Sequence, residues 1–292
     1  MAVDITALYC CLDDFCTVFS DWEAHQLIPS PPRRQRSGKL SRAEMLFIMV
    51  LFHLSAYKNF KTFYLYGIGC QHRGCFRDLP HYDRFITLMP RLFVPLMVLL
   101  HSLSGEETDL YFGDSSKLAV CHNRRINRHQ VFDGLAARGK TSMGWFFGLK
   151  LHVVINHKGE IMAVKITPGN IADSTVLDEI TRHLTGKLYA DKGYISREVF
   201  TKLWQRGLHL ITGIRRNMRN HLMLLGDKIL LRKRFVIETV FDILKCEMGL
   251  EHTRHRSPKN AMVHVLSCLV AYAYRPSKPS ISRNGKMLEV NP

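Results

Sequence analysis

The sequence predicts an α/β protein: a mixed sheet with flanking helices, preceded by an all-α N-terminal region. Three observations carry this. Up to about residue 105 apolar residues recur at helical spacing, and after Ser104-Gly105 the pattern turns to alternation. Two apolar runs, WFFGLKLHVVIN and IMAVKIT, flank an HKGE turn and read as a β-hairpin. Beyond them short β-type runs feed helical stretches, the order of a mixed sheet rather than a bundle.

Taken in order, Ile5, Leu8, Leu12, Phe15 and Phe19 succeed one another at helical steps and predict the first helix. IPSPPRRQRSGK is a connector rich in Pro and Arg. Ser41, with Glu44 three residues on, forms a capping box ahead of an apolar run to about Tyr57. Pro80 opens a helix over HYDRFITLM with Asp78 as a nearby cap, and residues 91–103 form another with Pro95 in its first turns. Short helices bearing Arg and His suit a helix-turn-helix reader of DNA, so residues 1–105 are read as a DNA-binding helical region. TDLYFG is a β-type run ending at Asp114. The hairpin follows, closed by Pro168-Gly169-Asn170. Residues 173–184 form a helix with Asp173 or Ser174 at its start. KLYA is a strand ending at Asp191, residues 196–206 a helix stopped by Gly207, and LHLITGI a further strand. A basic connector leads to a helix over 234–248, and another covers 260–274. Residues 106–275 are therefore read as one α/β domain and 276–292 as a loose tail.

The 292 residues carry 41 Lys and Arg against 25 Asp and Glu, a formal charge of +16. Such a surplus repels itself unless a polyanion is present, and nucleic acid is the first candidate. The longest apolar runs, 46–54 and 93–100, fall short of the roughly 20 residues that span a bilayer. The N-terminus has no basic segment ahead of an apolar one, so neither a secretory signal nor a membrane partner is expected. Eight scattered cysteines suit reduced thiols and a cytoplasmic location. Cys70, His72 and Cys75 in CQHRGC could serve zinc, but only His81 offers a fourth ligand and the paired CxxC spacing is missing.

In so basic a chain, carboxylates at strand ends need a reason. Asp114 follows LYFG and Asp191 follows LYA; if the two strands are neighbours, two anions converge and call for a cation. Magnesium, hard and oxygen-seeking, is the natural one. Each Asp alone reads equally as a turn or cap residue. In RFVIETVFDILKCEM, Ile237, Phe241, Leu244 and Met248 form the apolar stripe, and Glu238 lies one residue beyond it. Arg234 and Lys245 share that flank, where a Glu can reach a metal and the two cations can reach phosphates. An exposed Arg–Glu pair is the plainer reading, and Asp242 competes for the third-acid role.

The segments YFGDSSKLAVCHNRRI, GWFFGLKLHVVIN, GEIMAVKITPGNIAD, LYADKGYIS and RFVIETVFDILK together resemble DDE-type insertion-sequence transposases, most closely the nine-eighty-two insertion-sequence family and more distantly the families numbered four and five. Arg234, Glu238 and Lys245 stand at the intervals of the superfamily's Tyr–Arg–Glu–Lys signature, while its Tyr position is Leu231 here. The resemblance covers about residues 40–275. It implies a ribonuclease-H-like catalytic domain in which Asp114, Asp191 and Glu238 bind two Mg2+ ions, with Mn2+ able to substitute. The implied activity is cleavage of double-stranded DNA at terminal inverted repeats and its transfer to target DNA by a homodimer. An inactive or domesticated DNA-binding protein and another ribonuclease-H-like nuclease, such as a junction resolvase, are the alternatives. Asp173 in PGNIAD fits a recurring family pattern and is read as a helix cap.

The basic residues point the same way. Arg124, Arg125 and Arg128 follow the first acid; Arg215 and Arg216 precede the third, and Arg254 and Arg256 follow it. With Arg234 and Lys245 they are the expected DNA contacts, giving affinity without sequence information.

Overall fold

The computed structural model describes residues 4–26, 38–142, 144–215, 218, 222–251, 255–282 and 287–288. The chain divides into two compact units, the first built from residues 1–102, 248–250 and 257–276 and the second from the remainder.

The first unit is helical. α1 (Ile5–Gln26) buries Leu8, Leu12 and Phe19, as their spacing predicts. α2 (Arg42–Leu54) opens on the expected capping box: Glu44 N–H donates to Ser41 Oγ at 3.1 Å, and Ser41 N–H donates to the Glu44 carboxylate at 2.5 Å. Every α2 residue from Met45 to His53 is buried, so this helix is apolar all round and central to its unit. α3 (Phe60–Thr62) runs into a π-helical stretch, Phe63–Gln71. α4 (Tyr82–Leu88) starts after His81 without a side-chain cap; Asp78, the expected cap, pairs with Lys39 at 3.0 Å instead. A 3₁₀ turn at Met89–Leu92, with Pro90 in it, separates α4 from α5 (Phe93–Ser102). Residues Tyr82–Ser102 together are long and apolar enough to cross a membrane by composition, and their Phe85, Leu92, Leu96 and Leu99 are buried.

The second unit is built on one mixed sheet. Its strands are β1 (Leu110–Cys121), β2 (Ala137–Thr141), β3 (Gly144–Asn156), β4 (Ile161–Pro168), β5 (Gly186–Ala190) and β6 (Leu208–Thr212). β3 lies antiparallel to β1; β4 and the short β2 share the far edge of β3; β5 is parallel to β1 and β6 parallel to β5. Three long antiparallel strands followed by two parallel ones make this a ribonuclease-H-like sheet. Each parallel strand is reached through a helix, α6 (Asp173–Ile180) before β5 and α7 (Arg197–Gln205) before β6. Tyr111, Val154, Leu188 and Leu210 of the sheet pack with Leu177 of α6 and Leu203 of α7 in one core. α8 (Leu225–Arg232) and α9 (Val236–Asp242) follow β6.

Four expectations change. Asp114 does not end its strand: β1 continues to Cys121, because β3 pairs with it over that whole length. What ends beside Asp114 is the β1–β5 ladder, whose last pair is Gly113 with Ala190. The basic connector holds α8, whose Leu230 is buried. Residues 234–248 are not one α-helix but a 3₁₀ turn (Lys233–Phe235), α9, and a π-helical turn (Ile243–Glu247). Finally α10 (Pro258–Ala273), capped by Ser257, belongs to the helical unit, whereas the 104–256 stretch is almost wholly in the sheet unit. In the 276–292 segment, β7 (Ser280–Ile281) pairs with β8 (Met287–Leu288), and Ile281 is fully buried with its N–H donating to His157 O at 2.8 Å.

Candidate active site

β1 alternates its faces, and this decides which residues meet. Tyr111 and Ser115 point to the side covered by α6 and α7. Phe112 and Asp114 point to the other side, where Phe112 stacks on Tyr189 at 5.5 Å and α9 packs against the strand. Tyr189 lies on that side of β5. The β1–β5 ladder ends at Gly113 opposite Ala190, so Asp114 and Asp191 are the next residue on each chain, Asp191 opening the 3₁₀ turn after β5.

Arg234 joins the third acid to the first. One arm of its guanidinium, Nη1, donates to Asp114 Oδ2 at 3.1 Å; the other, Nη2, donates to Glu238 Oε1 at 3.0 Å. Asp114 Oδ1 accepts from the Ser115 N–H at 2.8 Å, so both oxygens of this carboxylate are engaged. Glu238, not Asp242, is the α9 acid that shares a partner with Asp114. Burial pushes the Asp114 carboxyl up to about 6 against the pull of Arg234, and the nearby Asp191 charge adds to the rise.

A layer beneath holds β1 in place. The Asp173 carboxylate does not cap α6, whose N-cap, Ala172, makes no side-chain bond. It accepts instead from Ser115 Oγ at 3.0 Å and from Lys150 Nζ at 3.1 Å, with His152 Nδ1 3.8 Å away. Burial lowers the His152 ring to about 4, so it stays neutral and hydrogen-bonds Thr167 through Nε2 at 2.9 Å. Tyr194, buried on the turn after Asp191, lies close to this group, and desolvation, with the Asp114 and Asp173 charges, raises its hydroxyl far above the usual tyrosine range. Sequence spacing marks Asp173 only as a helix start; its partners come from two strands, β1 and β3.

The expected DNA contacts fall in several places. Arg124, Arg125 and Arg128 are exposed on a 3₁₀ turn after β1. Asn123 on that turn donates to Trp145 O at 2.8 Å, tying it to the β2–β3 hairpin. On the hairpin Arg138 and Lys140 lie 5.1 and 5.6 Å from the exposed Trp145 ring. Neither cation drew notice in the sequence, although one-residue alternation in ARGKT puts both on one face. Arg215 donates to Lys192 O at 3.0 Å, beside Asp191. Lys245 donates to Lys117 O at 3.2 Å and pairs with Glu251 at 2.7 Å, so it braces β1. Arg256 is exposed; Arg216 and Arg254 lie outside the described residues. Cys70 and Cys75 are exposed free thiols.

The donor chemistry fits a hard divalent cation: three carboxylates, two of them on adjoining strand positions and one across a guanidinium. Among the described residues no three His, Cys, Asp or Glu side chains are grouped closely enough to hold a metal as they stand. Arg234 lies between two of the three.

A family model, the transposase DDE domain, matches residues 104–258, more than half of the chain. The chain belongs to this family of transposase domains. No curated protein matches it. Among solved structures it is similar to the cryo-EM synaptic complex of piggyBac transposase with hairpin DNA, at 9% identity and a TM-score of 0.49 over 83% of this chain and 68% of that one. It is also similar to the Mos1 strand transfer complex (13% identity, TM-score 0.24, 88% and 85% of the two chains) and to the Mos1 mariner paired end complex with Mn (12%, 0.24, 94% and 98%). The family assignment rests on the match over 104–258.

Proposed function

We propose that this chain is the transposase of an insertion sequence of the nine-eighty-two kind, binding its terminal inverted repeats as a dimer in the cytoplasm and carrying out metal-dependent strand cleavage and transfer. What supports this reading is the Arg234 bridge between Asp114 and Glu238, together with the parallel pairing of β1 and β5 that ends at Gly113 and Ala190, the residues just before Asp114 and Asp191. Asp114, Asp191 and Glu238 would hold two Mg2+ ions, with Mn2+ able to replace them. When bound, the ions supply an activated attacking oxygen and stabilise the leaving one in an in-line displacement.

The chain's own residues orient and hold. Ser115, fixed by Asp173, keeps the Asp114 carboxylate aimed by its N–H. The cations after β1 and on the β2–β3 hairpin, Arg124, Arg125, Arg128, Arg138 and Lys140, bind phosphates on either side of the scissile one. Arg215, which donates to Lys192 O next to Asp191, and Arg256 add to the same field; Arg216 and Arg254 are kept as DNA contacts on their sequence alone. With substrate present, Arg234 turns to a phosphate, as a planar fork suits.

The test is strand cleavage and joining on DNA carrying the element's terminal repeats. Asp114→Asn and Glu238→Gln are expected to abolish both steps while retaining DNA binding. Full cleavage by either purified variant contradicts the reading. Cleavage of junction DNA in preference to repeat ends would point to a resolvase instead.

A further inference from the structure

Among the described residues Arg234 is the one cation seen to touch two of the three acids, and its place in the site raises a question of charge. Asp114 is largely buried, at 21% side-chain exposure, and Arg234 is at 18%. Arg234 spends one guanidinium arm on Asp114 Oδ2 and the other on Glu238 Oε1, at 3.1 and 3.0 Å. Those are oxygens a divalent ion would need. A doubly charged ion about 2.1 Å from the same oxygens would sit against the guanidinium with little water between to screen it. The two cations cannot share these oxygens without strong repulsion.

We propose that Arg234 is a positioning residue that stands in for the metal: it holds Asp114 and Glu238 together when no ion is bound, and it must leave for the ion to enter. This rests on the reading of Asp114 and Glu238 as metal ligands. Two consequences follow. Arg234 keeps two like-charged carboxylates from pushing apart, so the site is assembled before the ion arrives. Its displaced guanidinium, on a 3₁₀ turn at the rim of the site, becomes free for a phosphate oxygen. Metal entry and DNA binding are thereby coupled, each favouring the other. The other charged groups nearby do not offer the same exchange: Lys245 is committed to Lys117 O and Glu251, and Arg215 to the Lys192 carbonyl.

The experiment measures Mn2+ binding to the full chain by titration calorimetry and by the EPR signal of free Mn2+, without DNA, for the wild type, Arg234→Gln, Arg234→Lys and Asp114→Asn. Arg234→Gln removes the competing charge and is expected to bind Mn2+ about tenfold more tightly than the wild type. Arg234→Lys, whose compact ammonium cannot span both carboxylates, is expected to fall between. Terminal-repeat DNA binding is measured alongside by anisotropy. Mn2+ is expected to strengthen it several-fold in the wild type and to leave it unchanged in Arg234→Gln. A merely structural Arg234 would weaken metal and DNA binding together; equal or weaker Mn2+ binding by both Arg234 variants overturns the proposal. If Arg234→Gln does not fold, the Arg234→Lys comparison decides alone. Wild-type Mn2+ binding that Asp114→Asn does not reduce overturns the metal-ligand reading itself, and the proposal with it. Asp114-dependent binding with no gain in the Arg234 variants overturns the stand-in role alone.

Discussion

The Asp173 carboxylate accepts from Ser115 and Lys150, and Lys150 also donates to Ile171 O at 2.9 Å with only 12% of its side chain exposed. Removing the acid leaves a nearly buried ammonium short of its counter-charge. Asp173→Ala is expected to cost about 1–3 kcal/mol in urea unfolding; a loss under about 0.5 kcal/mol would mean that Asp173 is an ordinary exposed first-turn acid. The buried histidines set a pH dependence of stability. Desolvation, then the nearby His264, holds His53 well below its ordinary value, and burial holds His152 near 4. Unfolded, both rings take up a proton near pH 6.5, which the folded chain refuses. Their contribution is thus complete above about 6.5 and lost as the pH falls below it. The Tm is expected to drop between pH 7.5 and 5, and a flat profile would contradict the buried, neutral assignment.

At the level of elements, local chemistry was legible wherever a short-range rule decides the outcome. The Ser41–Glu44 box starts α2 as its spacing predicts, and Ser41→Ala is expected to lower stability by about 1 kcal/mol, read as a shift of the thermal midpoint with the fold unchanged by circular dichroism. An unshifted midpoint would mean that packing of the buried α2 alone sets its start. Gly186, at φ +101° with Asp109 O only 2.5 Å from where a Cβ would stand, starts β5 where an L side chain is strained. Other features were illegible for physical reasons. β1 looks short because the polar DSSK interrupts its apolar run, yet pairing with β3 continues the ladder to Cys121. β2 has no apolar run at all and exists as the partner of the β3 start. Residues 234–248 keep one apolar stripe while the backbone passes through 3₁₀, α and π turns, a change of helix type that the stripe alone does not reveal.

For the molecule as a whole, the +16 charge and the sheet class were readable from composition and periodicity; the candidate acids Asp114 and Asp191 stood out beside apolar strand runs, and Glu238 beside the apolar stripe of a helix. The contacts that make those acids a site were not. The β1–β5 register spans 77 residues and the Arg234 bridge 120, and no local pattern encodes either. Between Ser115 and Lys158 the only acid is Asp133, against eight Lys and Arg, so this stretch is strongly positive. The double variant Arg124→Gln/Arg125→Gln is expected to reduce the slope of log affinity against log salt by about 2, uniformly across DNA sequences. An unchanged slope would place the phosphate contacts elsewhere. The most direct test of the account is an anomalous-difference map from crystals of the chain soaked in Mn2+. A peak about 2.1–2.2 Å from carboxylate oxygens of both Asp114 and Asp191, with the Arg234 guanidinium turned away from Asp114, is the expected result. No peak there at millimolar Mn2+, with Arg234 still bridging Asp114 and Glu238, would contradict it.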